Sequence, residues 1–286
     1  MTDPLRILVL ADEHNARVRA AWVGLEKTLG AADGVDVVAV HKTEDLDIDD
    51  YVADLVVVLG GDGSMLRACR RQRRQQMPTL GINLGRLGFL ADLSPEEFEN
   101  CLPVLVRREF DVVEHLMFEC EHHHADGSHE QYLGLNEVAV SSAGSLRILD
   151  VNLDVDGERV TTYSCDGLIV STPVGSTAHS LSAGGPILRQ NLSAFVITPI
   201  CPHTLTNRPI VDSADCLYCL SVPQPPAGTM MVIDGQIKRP VLEGDTIQIR
   251  RAPETFLLAR VPGHSYYATL RRKLGWGGQL KLKPRE

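Results

Sequence analysis

Two spacings of apolar residues alternate along the first third of the chain. Leu5 to Ala11 is a mostly apolar run of strand length. Val18, Trp22, Leu25 and Leu29 then recur at helical spacing, and Gly30 or Gly34 is placed to end that helix. Val35 to Val40 predicts a second strand. Leu55-Val56-Val57-Val58-Leu59 has the β-branched texture of a strand buried on both faces. Glycines stop it at once. A polar, basic stretch from about Met65 to Gln75 predicts a helix, and Pro78 to Ile82 a fourth strand. Ser94-Pro95-Glu96-Glu97 starts another helix, with a capping Ser, Pro in the first turn and Glu three residues after the cap. Such alternation implies an α/β domain whose parallel sheet is covered by helices.

The texture changes near Phe110. From there to about Pro262, short runs of Val, Ile, Leu, Tyr and Thr are punctuated by Asp126-Gly127, Asp156-Gly157, Asp234-Gly235 and Glu243-Gly244-Asp245. This predicts an all-β domain. Ser265 to Leu274 reads as a last helix with too few apolar positions to stand alone, so it is expected to return to the first domain. The expected division is residues 1–108, 109–264 and 265–286.

Composition narrows the classes. Of 286 residues, 44% are hydrophobic and 23% charged, the balance of a folded globular protein. A net charge of −9 argues against a general nucleic-acid binder. No apolar run approaches the length of a membrane-spanning helix. The opening Met1-Thr2-Asp3-Pro4 lacks a basic region and a cleavage pattern, which predicts a cytoplasmic protein. Seven cysteines, an odd number in a chain of this size, suggest free thiols. Cys216 and Cys219 have C-x-x-C spacing but lie on a strand-like stretch, where they would face opposite ways. His122, His123 and His124 precede the turn Asp126-Gly127-Ser128 and read as a solvated hairpin tip. No residue is assigned to a metal.

Four stretches carry candidate chemistry. Gly60-Gly61-Asp62-Gly63-Ser64 follows the most hydrophobic strand, and open parallel sheets bind ligands at the carboxyl ends of their strands. Its glycines let backbone N–H groups approach a phosphate, the next helix offers its positive end, and Asp62 supplies one carboxylate. The chain has no G-x-x-x-x-G-K-S/T and no G-x-G-x-x-G. Leu135-Asn136-Glu137 pairs an amide with a carboxylate, able to read ribose hydroxyls and an adenine amine. Asp166 to Ile187, DGLIVSTPVGSTAHSLSAGGPI, is rich in glycine and hydroxyls. Thr172, Ser176, Thr177, Ser180 and Ser182 there are expected to bond a polar ligand. Asp234-Gly235-Gln236 reads alone as a hairpin turn.

In this order, GGDGSML, GINLGRLGFL, LNE, DGLIVSTPVGSTAHSLSAGGPI, TPICPHTLTNRPIV and DGQ resemble the NAD kinase family. The GGDG element is shared with lipid kinases and phosphofructokinases; the long Asp166 to Ile187 segment is more specific. The resemblance implies an N-terminal α/β domain, a C-terminal β-sandwich-like domain, a nucleotide site between them and a homodimer or homotetramer. It implies that Asp62 is the catalytic aspartate and Gly63 its phosphate-contacting neighbour. Asn136 and Glu137 match an NAD-contacting pair, Arg147 a basic ligand contact, and Asp166 an aspartate that meets adenosine, often from a neighbouring subunit. Thr177, Ala178, His179, Ser180, Leu181 and Ser182 match a loop enclosing NAD, and Gln236 a late contact. Four positions depart from the family's commonest pattern. Ser64 and Val174 stand where Thr is frequent, Ser164 where a basic residue is, and His179 where Tyr is.

The activity so implied is transfer of the γ-phosphoryl group of ATP, with magnesium, to the 2′-hydroxyl of the adenosine ribose of NAD. Asp62 would take the hydroxyl proton. Of the arginines beyond the loop, Arg67, one turn in, is the best placed to reach phosphate. NAD and ATP are the expected partners, with no nucleic acid and no membrane. The alternatives are a lipid kinase sharing GGDG and a non-catalytic NAD-binding regulator.

Overall fold

The structure, a computed structural model, describes residues 3–43, 48, 50–142, 148–203 and 208–276. The chain forms two compact units. The first takes the chain through Gln72, then Met77–Val113 and the segment from Leu257 onward; the second takes Arg73–Gln76 and Glu114–Phe256.

The first unit opens with β1 (Leu5–Leu10), α1 (Ala16–Ala31), β2 (Val35–His41), β3 (Leu55–Leu59), α2 (Asp62–Arg71), β4 (Thr79–Ile82), β5 (Ala91–Leu93) and α3 (Pro95–Val106). The strands pair in parallel in the order β5-β4-β3-β1-β2. All five residues of β3 are buried, as a central parallel strand requires. In α1 the buried residues are Val18, Trp22, Leu25 and Leu29, the four whose spacing predicted the helix. The helix passes through Gly30 and stops at Ala31. At α3 the reciprocal cap forms: Ser94 Oγ accepts from Glu97 N at 3.1 Å and Glu97 Oε2 from Ser94 N at 2.7 Å.

The helix after the glycines differs from its sequence reading. It begins at Asp62, not Met65, and ends at Arg71, not Gln75. Gly61 is extended and serves as the N-cap, so the turn is only Gly60-Gly61, and Asp62, Gly63 and Ser64 form the first helical turn.

The second unit carries β6 (Asp111–His123), β7 (His129–Gly134), β8 (Glu137–Ser142), β9 (Leu149–Val155), β10 (Glu158–Cys165), β11 (Gly167–Ser171), α4 (His179–Ser182), β12 (Ala194–Ile200), β13 (Ile210–Ser213), β14 (Tyr218–Ser221), β15 (Thr229–Ile233), β16 (Ile237–Pro240) and most of β17 (Thr246–Arg260). One layer is antiparallel in the order β13-β12-β11-β8-β15-β16. The other runs β10-β9-β14-β17, with the β6–β7 hairpin joined to β17. Val138, Val140, Leu168, Phe195 and Met231 from the first layer and Val151, Tyr163, Tyr218 and Ile247 from the second share one core. That is a β-sandwich, as expected.

From Leu257 the chain belongs to the first unit again, with Leu258 paired to Thr79 of β4, and α5 (Tyr266–Leu274) follows there. The two handovers fall inside β6 and β17, against residues 108 and 264 read from the sequence. A strand that serves two units carries no turn residue to mark the change.

Candidate active site

Asp62 sits where β3 ends and α2 begins, at the carboxyl end of the parallel sheet. Its carboxylate is already organised. Oδ1 accepts from the amides of Leu90 (2.9 Å) and Ala91 (3.1 Å), and Oδ2 from Phe89 N at 2.8 Å. The loop that offers these amides is shaped by Asn83, whose Nδ2 donates to the carbonyls of Arg86 (2.8 Å) and Ala91 (3.1 Å). Gly88 is required by contact: a Cβ there would lie 2.0 Å from Asp62 Oδ1. Lys273 of α5 places Nζ 3.7 Å from Asp62 Oδ2 and 4.0 Å from the Phe89 ring centroid, a cation–π distance. A carboxylate offers about four lone-pair directions. Three amides leave one, on Oδ2, to receive a proton. Arg67 bonds Ser64 Oγ at 3.1 Å and lines a small cleft with Asp12, Ser64 and Arg71.

The second unit holds the other group. Asp234, buried in the β15–β16 hairpin, accepts from the amides of Leu135 (3.2 Å), Asn136 (2.8 Å) and Glu137 (3.3 Å). Read from the sequence, Asp234 is only a turn residue. It is in fact the clamp that fixes the Asn136-Glu137 pair, and its φ of +50° lets the carboxylate reach back. Thr172 and Ser171 hold the same segment from the other side: Thr172 Oγ1 donates to Leu135 O at 2.5 Å and Ser171 Oγ to Asn136 O at 3.1 Å. Gly175 packs so close that a Cβ would lie 2.1 Å from Asn136 O. So fixed, Asn136 Oδ1 and Glu137 Oε2 are buried with no hydrogen-bond partner among the described residues. Burial, and then the charge of Asp234, push the Glu137 carboxyl up to about 8, against a smaller lowering by the His179 amide that bonds it. Glu137 is therefore largely a neutral acid at neutral pH, able both to donate and to accept.

The long glycine-hydroxyl segment differs from its reading. Four of the five hydroxyls expected to bond a ligand are buried and turned inward. Besides Thr172, Ser176 Oγ donates to Pro173 O (2.6 Å), Thr177 Oγ1 to Val174 O (3.0 Å), and Ser180 Oγ meets Thr198 Oγ1 (2.9 Å). Short hydroxyl side chains bond local backbone as readily as a ligand, and here they hold the loop's shape. Ser182 and the His179 ring are exposed, Ala178 and Leu181 half-buried, and Val174 is buried. Asp166 is exposed, with His203 Nε2 at 3.7 Å from its Oδ1. Ser164 Oγ bonds Asp150. Gln236 lies in the turn just after Asp234. Gly63 is in the first turn of α2. Arg147 lies outside the described residues. Sequence reasoning thus missed Asp234, Gly88 and Lys273. The quoted GINLGRLGFL and DGQ motifs contained signals for the first two; nothing local marked Lys273.

Both units match known domains. Residues 28–110 match the ATP-NAD kinase N-terminal domain and residues 135–261 the ATP-NAD kinase C-terminal domain. An NAD kinase of Rhodopirellula baltica is 48% identical over 280 residues, covering 98% of this chain and 89% of that protein. An NAD kinase of Geobacter sulfurreducens is 36% identical over 95% of this chain and 99% of its own length. Among solved structures, an Archaeoglobus fulgidus NAD kinase in complex with ATP aligns with a TM-score of 0.70 at 30% identity, over 95% of this chain and 98% of that one. Yeast NADH kinase complexed with NADH shares the fold, with a TM-score of 0.87 at 24% identity, over 98% and 91% of the two chains. The Asp62 and Asn136-Glu137 groups lie within the matched regions, and the chain belongs to the NAD kinase family.

Proposed function

We propose that the protein transfers the γ-phosphoryl group of ATP to the 2′-hydroxyl of the adenosine ribose of NAD, yielding NADP. The observation that carries this reading beyond family membership is the pair of buried, unpartnered oxygens, Asn136 Oδ1 and Glu137 Oε2. A polar atom kept from water without a partner costs on the order of 1–3 kcal/mol. A ligand with hydroxyl and amine donors, such as the adenosine half of NAD, offsets that cost. A diacylglycerol-like acceptor does not, which counts against a lipid kinase. A non-catalytic NAD-binding regulator would have no use for a carboxylate as closely held as Asp62.

In this reading Asp62 takes the 2′-hydroxyl proton on its remaining Oδ2 position as the oxygen attacks the γ-phosphorus. Gly63 and the first turn of α2 face the phosphates, and Arg67 offsets their charge. Magnesium enters with ATP as part of the substrate, where it neutralises the triphosphate. Asp62, with three amides on its carboxylate, is not arranged to hold the ion by itself. Asn136 and Glu137 read the adenosine, while Ala178 to Ser182 enclose NAD, with Thr177 and Val174 shaping that loop. Ser164, Gln236 and Arg147 add outer contacts. The exposed Asp166 fits a role toward the adenosine of a neighbouring subunit in a homodimer or homotetramer. Among the described residues no helix is long and apolar enough to cross a membrane, and the seven cysteines are free. Free thiols suit the reducing cytoplasm, where we place the enzyme. The test is product analysis with labelled ATP, magnesium and NAD. Label in NADP is expected; label in a lipid acceptor and none in NADP would overturn the reading.

A further inference from the structure

At its turn the β6–β7 hairpin carries His122, His123, His124 and His129; residues 125–129 form the solvated tip its sequence suggested, but His122 does not belong to it. His122 is fully buried, and its Nε2 lies 2.9 Å from Oδ2 of the buried Asp245. The same carboxylate is fixed by Leu242 N at 3.0 Å and Ala125 N at 3.3 Å. The other ring nitrogen, His122 Nδ1, is buried with no hydrogen-bond partner among the described residues. An imidazole that donates one N–H to a carboxylate presents a lone pair on its other nitrogen, and proteins orient metal-binding histidines in this way. His124, two residues along, has its ring centroid 4.2 Å from that of His122. Its Nδ1 is 3.4 Å from Asp245 Oδ2 and its Nε2 3.9 Å from Glu130 Oε2. One donor atom from each of His122, His124 and Glu130 lies within 4.8 Å of the others. None of the three has a part in the proposed phosphoryl transfer.

We propose that His122, His124 and Glu130 bind one divalent ion of the zinc class, with Asp245 orienting His122. Two imidazoles and one carboxylate suit zinc better than magnesium or calcium, which prefer all-oxygen sets. Ligands on one tetrahedral zinc stand about 3.3 Å apart, from metal–ligand bonds near ~2 Å. Closing the site needs shifts of up to about 1.5 Å from the 4.8 Å spread, and His124 and Glu130, with side chains 27% and 43% exposed, can make them while His122 stays in place. The Tyr132 hydroxyl donates to Glu130 Oε2 at 2.6 Å, which leaves the other carboxylate oxygen for the ion. Glu130 and Asp245 together balance the ion's charge. Arg239, 3.3 Å from Glu130, opposes it but is itself 41% exposed and can swing away. A bound ion would clip the β6–β7 hairpin to the turn at Leu242–Asp245. His123 faces the opposite side of the strand, bonded to Glu121 and stacked on His129.

The test uses the full chain without a histidine tag, stripped by chelator and free of nucleotide. Equilibrium dialysis against zinc alone should show one equivalent bound with a dissociation constant below about 10 μM. Saturating zinc at about a hundredfold over that constant should raise the melting temperature. Cobalt in its place should give visible d–d bands of a low-coordinate N/O site. His124→Ala and Glu130→Gln, both partly exposed and so expected to keep the parent circular dichroism, should each weaken binding at least about tenfold and remove the melting shift. His123→Ala should change neither. Absence of binding below about 100 μM, binding that survives His124→Ala, or equal loss in His123→Ala would each overturn the proposal.

Discussion

Glu137 couples the stability of the second unit to pH, and Glu137→Gln should uncouple it. The side chain is buried, its Oε2 has no hydrogen-bond partner among the described residues, and its carboxyl is pushed up to about 8 from an ordinary 4.5, first by burial and then by Asp234. The folded pKa thus lies above the unfolded one. The stability Glu137 contributes is fully present below about pH 4.5 and is lost as pH rises through 8, because over that window the unfolded chain binds fewer protons. The slope approaches 1.4 kcal/mol per pH unit, so about 3 to 4 kcal/mol should disappear between about pH 5 and pH 8. Glutamine keeps the shape and has no charge to desolvate. Denaturant unfolding followed by far-ultraviolet circular dichroism, on parent and Glu137→Gln, gives the difference directly. The variant should match the parent to within about 1 kcal/mol near pH 5 and exceed it by about 3 kcal/mol near pH 8. A difference that moves by less than about 1 kcal/mol across the range would mean that Glu137 is ionised in the folded protein, and the account of its burial would be wrong.

Three further outcomes test the site. Asp62→Asn should lower kcat at least about a hundredfold with little change in the Michaelis constant for NAD, because it removes the proton acceptor and turns one of the two amide-accepting oxygens into a donor; turnover within a few-fold of the parent would exclude the role given to Asp62. Gly88→Ala should cost turnover on the same scale, since its Cβ would lie 2.0 Å from Asp62 Oδ1 and 2.6 Å from Ala91 O, whereas Gly85→Ala, whose nearest neighbour stands at 3.6 Å, should be tolerated. Steady-state assays of the two variants side by side decide it. Asp234→Asn keeps a residue that accepts positive φ but removes the charge to which three amides donate; unfolding should be about 2 kcal/mol easier, with the NAD Michaelis constant raised about tenfold. Calorimetry and kinetics read the two effects, and an unchanged Michaelis constant would show that the clamp does not position the ligand.

How far the sequence could be read follows from how local each cause is. The helix at Val18 to Leu29, the buried strand Leu55–Leu59 and the cap at Ser94 were legible because each is written within a turn or two of chain, in side-chain spacing or a reciprocal hydrogen bond. Asp62 was legible for the same reason: a carboxylate among glycines directly after a buried parallel strand is a local arrangement. Asp234 was not. Its partners are 97 to 99 residues away, and Asp-Gly between apolar runs is spelled the same whether the carboxylate caps a turn or clamps a distant strand. His122 was misread likewise, because the carboxylate that buries with it is 123 residues along the chain.

The hydroxyls of Thr172, Ser176, Thr177 and Ser180 erred in the opposite sense. Composition marked them for a ligand, yet in the structure Thr172, Ser176 and Thr177 bond backbone carbonyls and Ser180 bonds Thr198 Oγ1. Asn136 and Glu137, a weak signal in the sequence, kept oxygens that folding did not satisfy. The proposed binding surface in the second unit therefore rests not on the number of polar groups but on their unpaired remainder. Burying an oxygen without a partner works against folding, and persists only where the surrounding bonds hold it there. Here Asp234, Thr172, Ser171 and the contact at Gly175 do the holding, so one of the hydroxyls expected to meet a ligand, that of Thr172, instead helps keep the two unpartnered oxygens in place.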